Sequence, residues 1–386
     1  MRVLFINSVC GRGSTGRICT DLYDLASDEG MDCCIAYGRY NAPNNYNTIK
    51  IGGKLSIYYH VFLTRFFDKH GFGSKHATKK FIRQIEKFNP DVIHLHNIHG
   101  YYLNIEVLFN YLKKSGKKTI WTLHDCWAFT GHCAHFIISK CNKWETKCKE
   151  CPSIRNYPTS YRDNSSMNFE SKKKLFIGIK NMTIVTPSLW LETLVKHSFL
   201  NENEVIKINN GIDLAIFNKN NELSKKEDKV VILGVANVWT KEKGLDDFIE
   251  LSRKIDNNKY LIQLVGVSRE QRSSLPKNIS CIEKTENIRE LVKLYRSANI
   301  LFNPTYEDNY PTVNLEAQAC GIPVYTYNIG GSKETLFTSS SKVVENVDDF
   351  LDKLQMLEIT DSFEVDKCKL GKKELMKKYI SLYKGQ

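Results

Sequence analysis

Short apolar runs recur along the chain, and polar or amphipathic stretches separate them. The runs at 3–7, 33–37, 92–95, 119–123 and 183–186 form one set; those at 230–235, 261–265, 279–283, 300–303 and 323–327 form a second. Several of the gaps carry apolar positions at helical spacing, for example 78–87, 105–114, 244–255 and 288–297. Strand–helix alternation predicts parallel sheets covered on both faces. Because the alternation runs twice, it predicts two doubly wound, Rossmann-like α/β domains facing each other across a cleft. The polar stretch 218–228 reads as a linker, preceded by the turn signal Asn209-Asn210-Gly211-Ile212-Asp213. The expected domains are 1–208 and 209–362, and a lysine-rich helical pattern over 363–386 is expected to pack back on the first.

The richest stretch in chemistry follows the apolar run 300–303. A loop carries Asp308, a short helix carries Glu316, Gly321 stops that helix, and Pro323 opens the next strand. Two carboxylates thus lie on the loop and first turns of a helix that follows a strand, where open α/β sheets bind ligands. A helix N-terminus favours phosphate. Carboxylates beside it suit a ligand with both phosphate and hydroxyls, such as a nucleotide sugar.

Other loops repeat the arrangement. Gly11, Gly13 and Gly16 follow the first strand at the spacing of a phosphate-binding turn, with Arg12 and Arg17 beside them. A tight strand-to-helix turn explains the same glycines equally well. His94, His96, His99, His124 and Asp125 fall at the carboxyl ends of strands in the first domain. His94 reads as a core residue, and His124 as a group that handles a proton or donates to a leaving phosphate. Lys243 stands near a helix start, where a cation opposes the macrodipole and an anionic ligand would relieve the conflict. In Ile329-Gly330-Gly331-Ser332, Ser332 is expected to cap a helix.

The chain has 386 residues, enough for two cores, and a formal net charge of +12 that suits phosphorylated ligands, anionic membranes or nucleic acid. The basic residues are dispersed, which disfavours nucleic acid. No run approaches the roughly 20 apolar residues of a membrane span, and 3–6 is too short for a signal peptide. The expected location is the cytoplasm, either free or at the inner face of the membrane: the segment 58–80 mixes Phe62, Phe66, Phe67 and Phe72 with Arg65, Lys69, Lys75, Lys79 and Lys80, so it suits either an anionic membrane surface or simple packing on its own domain. Twelve cysteines are expected to be thiols or metal ligands there. Cys133, Cys141, Cys148 and Cys151 make a thiolate set for one structural zinc, with no open position for catalysis. Reduced free thiols are the alternative.

With these motifs in this order, nearly the whole chain resembles the retaining GT-B glycosyltransferases of family 4. The matching segments are the glycine-rich first loop, 91–96, 122–125, 186–188, 210–213, Lys243-Gly244, the E-x7-E-like Asp308–Glu316 pair and 330–334. The region 124–151 looks like the branch containing bacterial colanic-acid, exopolysaccharide and O-antigen transferases. The resemblance implies a UDP- or GDP-linked sugar donor and a lipid-linked saccharide acceptor, with no cofactor needed for catalysis. It implies that Glu316 holds the ribose, Asp308 contacts the sugar, and backbone amides around the segment Tyr310, Pro311, Thr312 and Val313 hold the phosphate. Lys243 would neutralise the leaving diphosphate, Gly16 would meet the phosphates and His124 would face the sugar. Asp308 stands where the family usually has Glu, with Glu307 beside it. Asn237 stands where the family has Arg, which removes one cation from the donor site. The competing expectations are a nucleotide-sugar epimerase or hydrolase of the same shape, and a zinc-dependent nucleic-acid or interaction module.

Overall fold

A computed structural model describes residues 1–219, 228–357 and 366–386. Most of the expected linker, 220–227, and the first residues of the 363–386 segment lie outside the described residues. The chain forms two compact units, residues 1–208 with 376–386, and residues 209–375.

The first unit contains β1 (Arg2–Asn7), α1 (Gly13–Asp28), β2 (Asp32–Tyr37), β3 (Thr48–Lys50), α2 (Lys54–Phe67), α3 (Lys75–Phe88) and β4 (Val92–Leu95). It continues with α4 (Ile105–Ser115), β5 (Lys118–Thr122), α5 (Ser165–Phe176), β6 (Met182–Thr186), α6 (Leu189–His197) and β7 (Glu204–Lys207). Its parallel sheet runs β3-β2-β1-β4-β5-β6-β7. Val3 to Ile6 are fully buried, as a central parallel strand covered on both faces requires. Alternate residues feed two cores: Leu4, Ile6, Ile93 and Leu95 join one, and Val3, Phe5, Val92 and Ile120 join the other.

The second unit contains β8 (Val230–Val235), α7 (Leu245–Lys254), β9 (Tyr260–Val265), α8 (Arg269–Ser274), β10 (Ile279–Ile282), α9 (Ile288–Ser297) and β11 (Ile300–Asn303). After these come α10 (Thr312–Ala319), β12 (Val324–Tyr327), β13 (Lys342–Val344), α11 (Val347–Gln355) and α12 (Lys367–Leu370). Its parallel sheet runs β10-β9-β8-β11-β12-β13. The strand order reverses its direction of growth between β8 and β11, and ligands of open α/β sheets bind beyond the carboxyl ends at such a point.

The last helix, α13 (Lys372–Lys384), places Met376, Tyr379, Ile380 and Tyr383 in the second core of the first unit. Tyr383 Oη lies 2.8 Å from His94 Nδ1, and Tyr379 Oη accepts from Thr122 Oγ1 at 3.2 Å. Among the described residues no helix is long and apolar enough to cross a membrane.

Candidate functional site

The loops that leave β8, β11 and β12 are tied together at the switch point of the second unit. Lys243 closes a short 3₁₀ turn, and Gly244 (φ +77°) begins α7. A Cβ on Gly244 would fall 2.3 Å from Pro304 O, so only glycine lets the two loops approach this closely. Tyr306 N donates to Glu242 O at 2.8 Å, and Gly331 N donates to Asp308 O at 3.3 Å. Gly244→Ala is expected to lower stability by about 1–3 kcal/mol through left-handed strain and the clash. A thermal melt of the variant coincident with the parent would contradict that role for the glycine.

Lys243 Nζ lies 2.7 Å from Asp308 Oδ2 and donates to Glu307 O at 3.3 Å. Asp308 Oδ1 accepts from Tyr310 N at 3.1 Å. The sequence reading left the Lys243 charge to an anionic ligand; in the structure a side chain of the same site, Asp308, opposes it. Glu307 lends its carbonyl to Lys243.

Helix α10 begins at Pro311 without a side-chain cap and with no acidic residue in its first turn. The N–H groups of such a terminus suit an anion. Its inner face is fixed by buried amides. Asn303 Nδ2 donates to Asn314 Oδ1, Asn314 Nδ2 donates to Thr335 Oγ1 (both 2.8 Å), and Gln318 Nε2 donates to Thr335 O at 2.7 Å. Glu316, half-buried one turn along, accepts from Tyr295 Oη at 2.8 Å.

Pro311, Thr312 and Val313 form the entry to α10. Tyr310 is buried, and its Oη has no hydrogen-bond partner among the described residues; the same holds for Ser332 Oγ. Ser332 therefore does not cap a helix: Gly331 occupies that position before a four-residue 3₁₀ turn, and no side-chain cap forms. Two buried hydroxyls beside these loops leave hydrogen-bonding capacity for a polar ligand. Asn237 is exposed on the loop after β8. The second unit thus gathers Lys243, Asp308, Tyr310 and the start of α10, with Glu316 one turn along.

Sequence reasoning missed Tyr295 and Asp247. Tyr295 sits on the buried face of α9 at core spacing, so nothing marked it as a partner for Glu316. Asp247 is buried and receives hydroxyls from Tyr306 and Tyr327, and its burial raises its pKa. The only available signal was an acid in the first turn of a helix, which usually faces water.

In the first unit, Gly16 lies in the first turn of α1, and its carbonyl accepts from Gly11 N at 3.1 Å. A Cβ on Gly16 would meet Val9 Cγ2 at 3.0 Å, so close packing of the turn is a sufficient reason for this glycine. His94 is fully buried, with Nε2 2.8 Å from Thr122 Oγ1, as a core histidine should be. His96 Nδ1 lies 3.1 Å from His124 Nε2, and His99 Nε2 lies 2.8 Å from Asp125 Oδ2.

Burial pushes His60 and His94 down to about 3 and His124 to about 4. His124 is therefore neutral at neutral pH. All three have folded pKa values below their ordinary 6.5, so the unfolded chain takes up protons first. Their stabilising contribution is full above about 6.5 and is lost as pH falls toward 4 to 3. The melting temperature is expected to drop between pH 6.5 and 5, before most carboxylates titrate; a flat profile over that window would contradict these placements.

Cys133, Cys141, Cys148 and Cys151 line one small cavity with Phe136 and Trp144. Among the described residues, however, no group of three or more His, Cys, Asp or Glu side chains is placed to hold a metal ion. Cys133 hydrogen-bonds to Cys151 and lowers its pKa, while Cys148 Sγ accepts from Gly131 N at 3.2 Å.

Comparisons with known proteins agree with the geometry of the second unit. Residues 229–358 match the family model described as "Glycosyl transferases group 1". The chain is 24% identical over 366 residues to a putative colanic acid biosynthesis glycosyl transferase, WcaC of Escherichia coli K12, covering 89% of this chain and 87% of that protein. Sucrose-phosphate synthase from Thermosynechococcus elongatus superposes with a TM-score of 0.67 at 15% identity, covering 100% of this chain and 97% of that one. HepE of Anabaena, solved in complex with UDP-glucose, superposes with a TM-score of 0.58 at 11% identity over 99% and 95% of the two chains. These matches support sugar transfer, and neither a nucleotide-sugar epimerase or hydrolase nor a nucleic-acid module. With the parallel sheets of both units and the loops gathered at β8, β11 and β12, they show a glycosyltransferase that carries a group 1 domain over residues 229–358 and has the fold of its GT-B structural neighbours.

Proposed function

We propose that the chain moves a sugar from a UDP- or GDP-linked donor to a lipid-linked saccharide in the synthesis of a surface polysaccharide, with retention at the anomeric carbon, at the inner face of the membrane. The observation that carries the donor half is the cluster of Lys243, Asp308 and the uncapped start of α10 at the switch point. The acceptor half draws on the likeness to the colanic-acid transferase.

In this reading the diphosphate binds at the start of α10, between Lys243 and the backbone N–H groups of 310, 312 and 313, Pro311 having none to donate. Lys243 exchanges Asp308 for a phosphate oxygen, and Asp308 turns to a sugar hydroxyl. Glu316 holds the ribose hydroxyls while Tyr295 keeps its carboxylate oriented. The bond between the anomeric carbon and the phosphate oxygen breaks, and its electron pair stays with the diphosphate. A bond to an acceptor oxygen forms on the same face, and the acceptor proton passes to the departing phosphate. Positive charge preorganised around the leaving group accelerates this step.

The test is consumption of labelled UDP- and GDP-sugars with and without membrane extract as acceptor source. Label entering the lipid fraction supports transfer. Release of free sugar at the same rate in both arms would establish hydrolysis instead.

A further inference from the structure

Helix α2 is amphipathic in the wrong sense for a water-soluble surface. Its inward face is polar. His60 and Thr64 are fully buried, as is Asp68, which ends the helix at φ +50°. His60 Nδ1 lies 3.0 Å from Ser74 Oγ, its Nε2 accepts from Gly71 N at 3.0 Å, and Asp68 engages His132 and Asn164 N. The outward face is apolar: Leu55 is 85% exposed, Tyr58 68%, Tyr59 59%, and Phe62 and Phe66 47% each. An ordinary surface helix buries its apolar stripe. Here internal hydrogen bonds fix the polar stripe inward, so rotation of the helix cannot hide the apolar one.

The loop after the thiol region enlarges the patch. Tyr161 N and Ser160 Oγ both donate to Arg65 O, which anchors that loop on the end of α2. Exposed Tyr161 then packs 5.6 Å from Phe66. Arg162 lies over Phe67 and Arg155 over Tyr161. The rings are therefore fringed by guanidinium groups and by Lys54 and Lys69, both exposed.

From Cys33 to Ile85 the sequence has one acidic residue, the buried Asp68, against nine lysines and arginines. Asp163, on the neighbouring loop, accepts from Cys151 N and Ser165 N. A second copy of this chain is a poor occupant, since a two-fold contact would set the same cations against each other. Aromatic rings edged with cations match the interface of an anionic bilayer, where rings sit at headgroup depth and the cations meet lipid phosphates.

We propose that the outward face of α2, with Tyr161, Arg155 and Arg162, is a docking surface for anionic phospholipid membrane. The inference gives the membrane part of the proposed function a location in the fold, and it is tested apart from sugar transfer.

The experiment is co-sedimentation of the full chain with phosphatidylcholine vesicles, with and without phosphatidylglycerol. The unmodified chain is expected to bind the anionic vesicles and to bind neutral ones weakly. Phe62→Ser with Phe66→Ser, both at exposed positions, should reduce partitioning by about tenfold or more. Met356→Ser, at another exposed apolar site, should leave it unchanged. Thermal melts and UDP or GDP binding report whether each variant keeps its fold and its donor site. The proposal fails if the unmodified chain ignores anionic vesicles. It also fails if the double variant binds them as the parent does, or if the patch instead drives self-association that the double variant abolishes. Loss of UDP and GDP binding with vesicle binding intact would count against the donor reading and leave this one standing.

Discussion

Lys243→Ala is expected to lower kcat by about 10²–10³-fold, the usual cost of removing one preorganised group aimed at developing charge. The lysine is fixed by Asp308 Oδ2 at 2.7 Å and by Glu307 O at 3.3 Å, and the short Lys241–Lys243 turn supplies its backbone. Once the donor has replaced Asp308 as its partner, Glu307 O and the 241–243 turn still hold the lysine beside the diphosphate, so it needs little further reorganisation as the diphosphate departs. Asn237, exposed on the loop after β8, brings no charge, so Lys243 is expected to carry more of this role. Donor KM should change less than kcat, because negative charge on the diphosphate grows as the bond breaks. Lys243→Arg, which keeps the charge on a different shape, should recover part of the rate. Full turnover by Lys243→Ala at saturating donor would remove the lysine from the mechanism.

Glu316→Gln is the second large effect, and it should fall on binding. The carboxylate accepts from Tyr295 Oη at 2.8 Å, which orients it. Charge-assisted hydrogen bonds are worth about 1.5–3 kcal/mol, so donor Kd should rise by roughly 10- to 100-fold with kcat little altered. Tyr295→Phe leaves the carboxylate in place and removes only its orienting partner, so a smaller rise is expected. A kcat loss for Glu316→Gln larger than its loss of affinity would assign this residue to chemistry rather than to binding.

The two-sheet plan was legible because the central strands are buried on both faces. Val3 to Ile6, Val231 to Gly234 and Ile300 to Phe302 read as short apolar runs for that reason. The edge strands β3, β7 and β13 were not anticipated. Each has three or four residues and is mostly half-buried or exposed, so Thr48-Ile49-Lys50 carries no clear period. The segment 58–80 looked like one basic aromatic stretch. It is two helices, parted at 68–74 by a turn in which Asp68, Gly71 and Ser74 are all left-handed; Gly71 and Gly73 marked the break in the sequence.

Loop chemistry was only partly readable. Asp308 and Glu316 stood out as acids after a strand, and Lys243 as a cation at the wrong end of a helix. Spacing gave no sign that Lys243 and Asp308 meet, since 65 residues separate them in sequence and the pairing depends on β8 lying beside β11. The spacing of the cysteines suggested a tetrahedral thiolate set, and the fold brings Cys133, Cys141, Cys148 and Cys151 to one cavity.

Isothermal titration of the full chain and of Glu316→Gln with UDP and with GDP tests the central claim most directly. At least one of the two nucleotides should bind the unmodified chain, and Glu316→Gln should weaken that binding by about tenfold or more. Equal affinity of both proteins for the bound nucleotide, or no binding of either nucleotide, would contradict a nucleotide-sugar site at the start of α10.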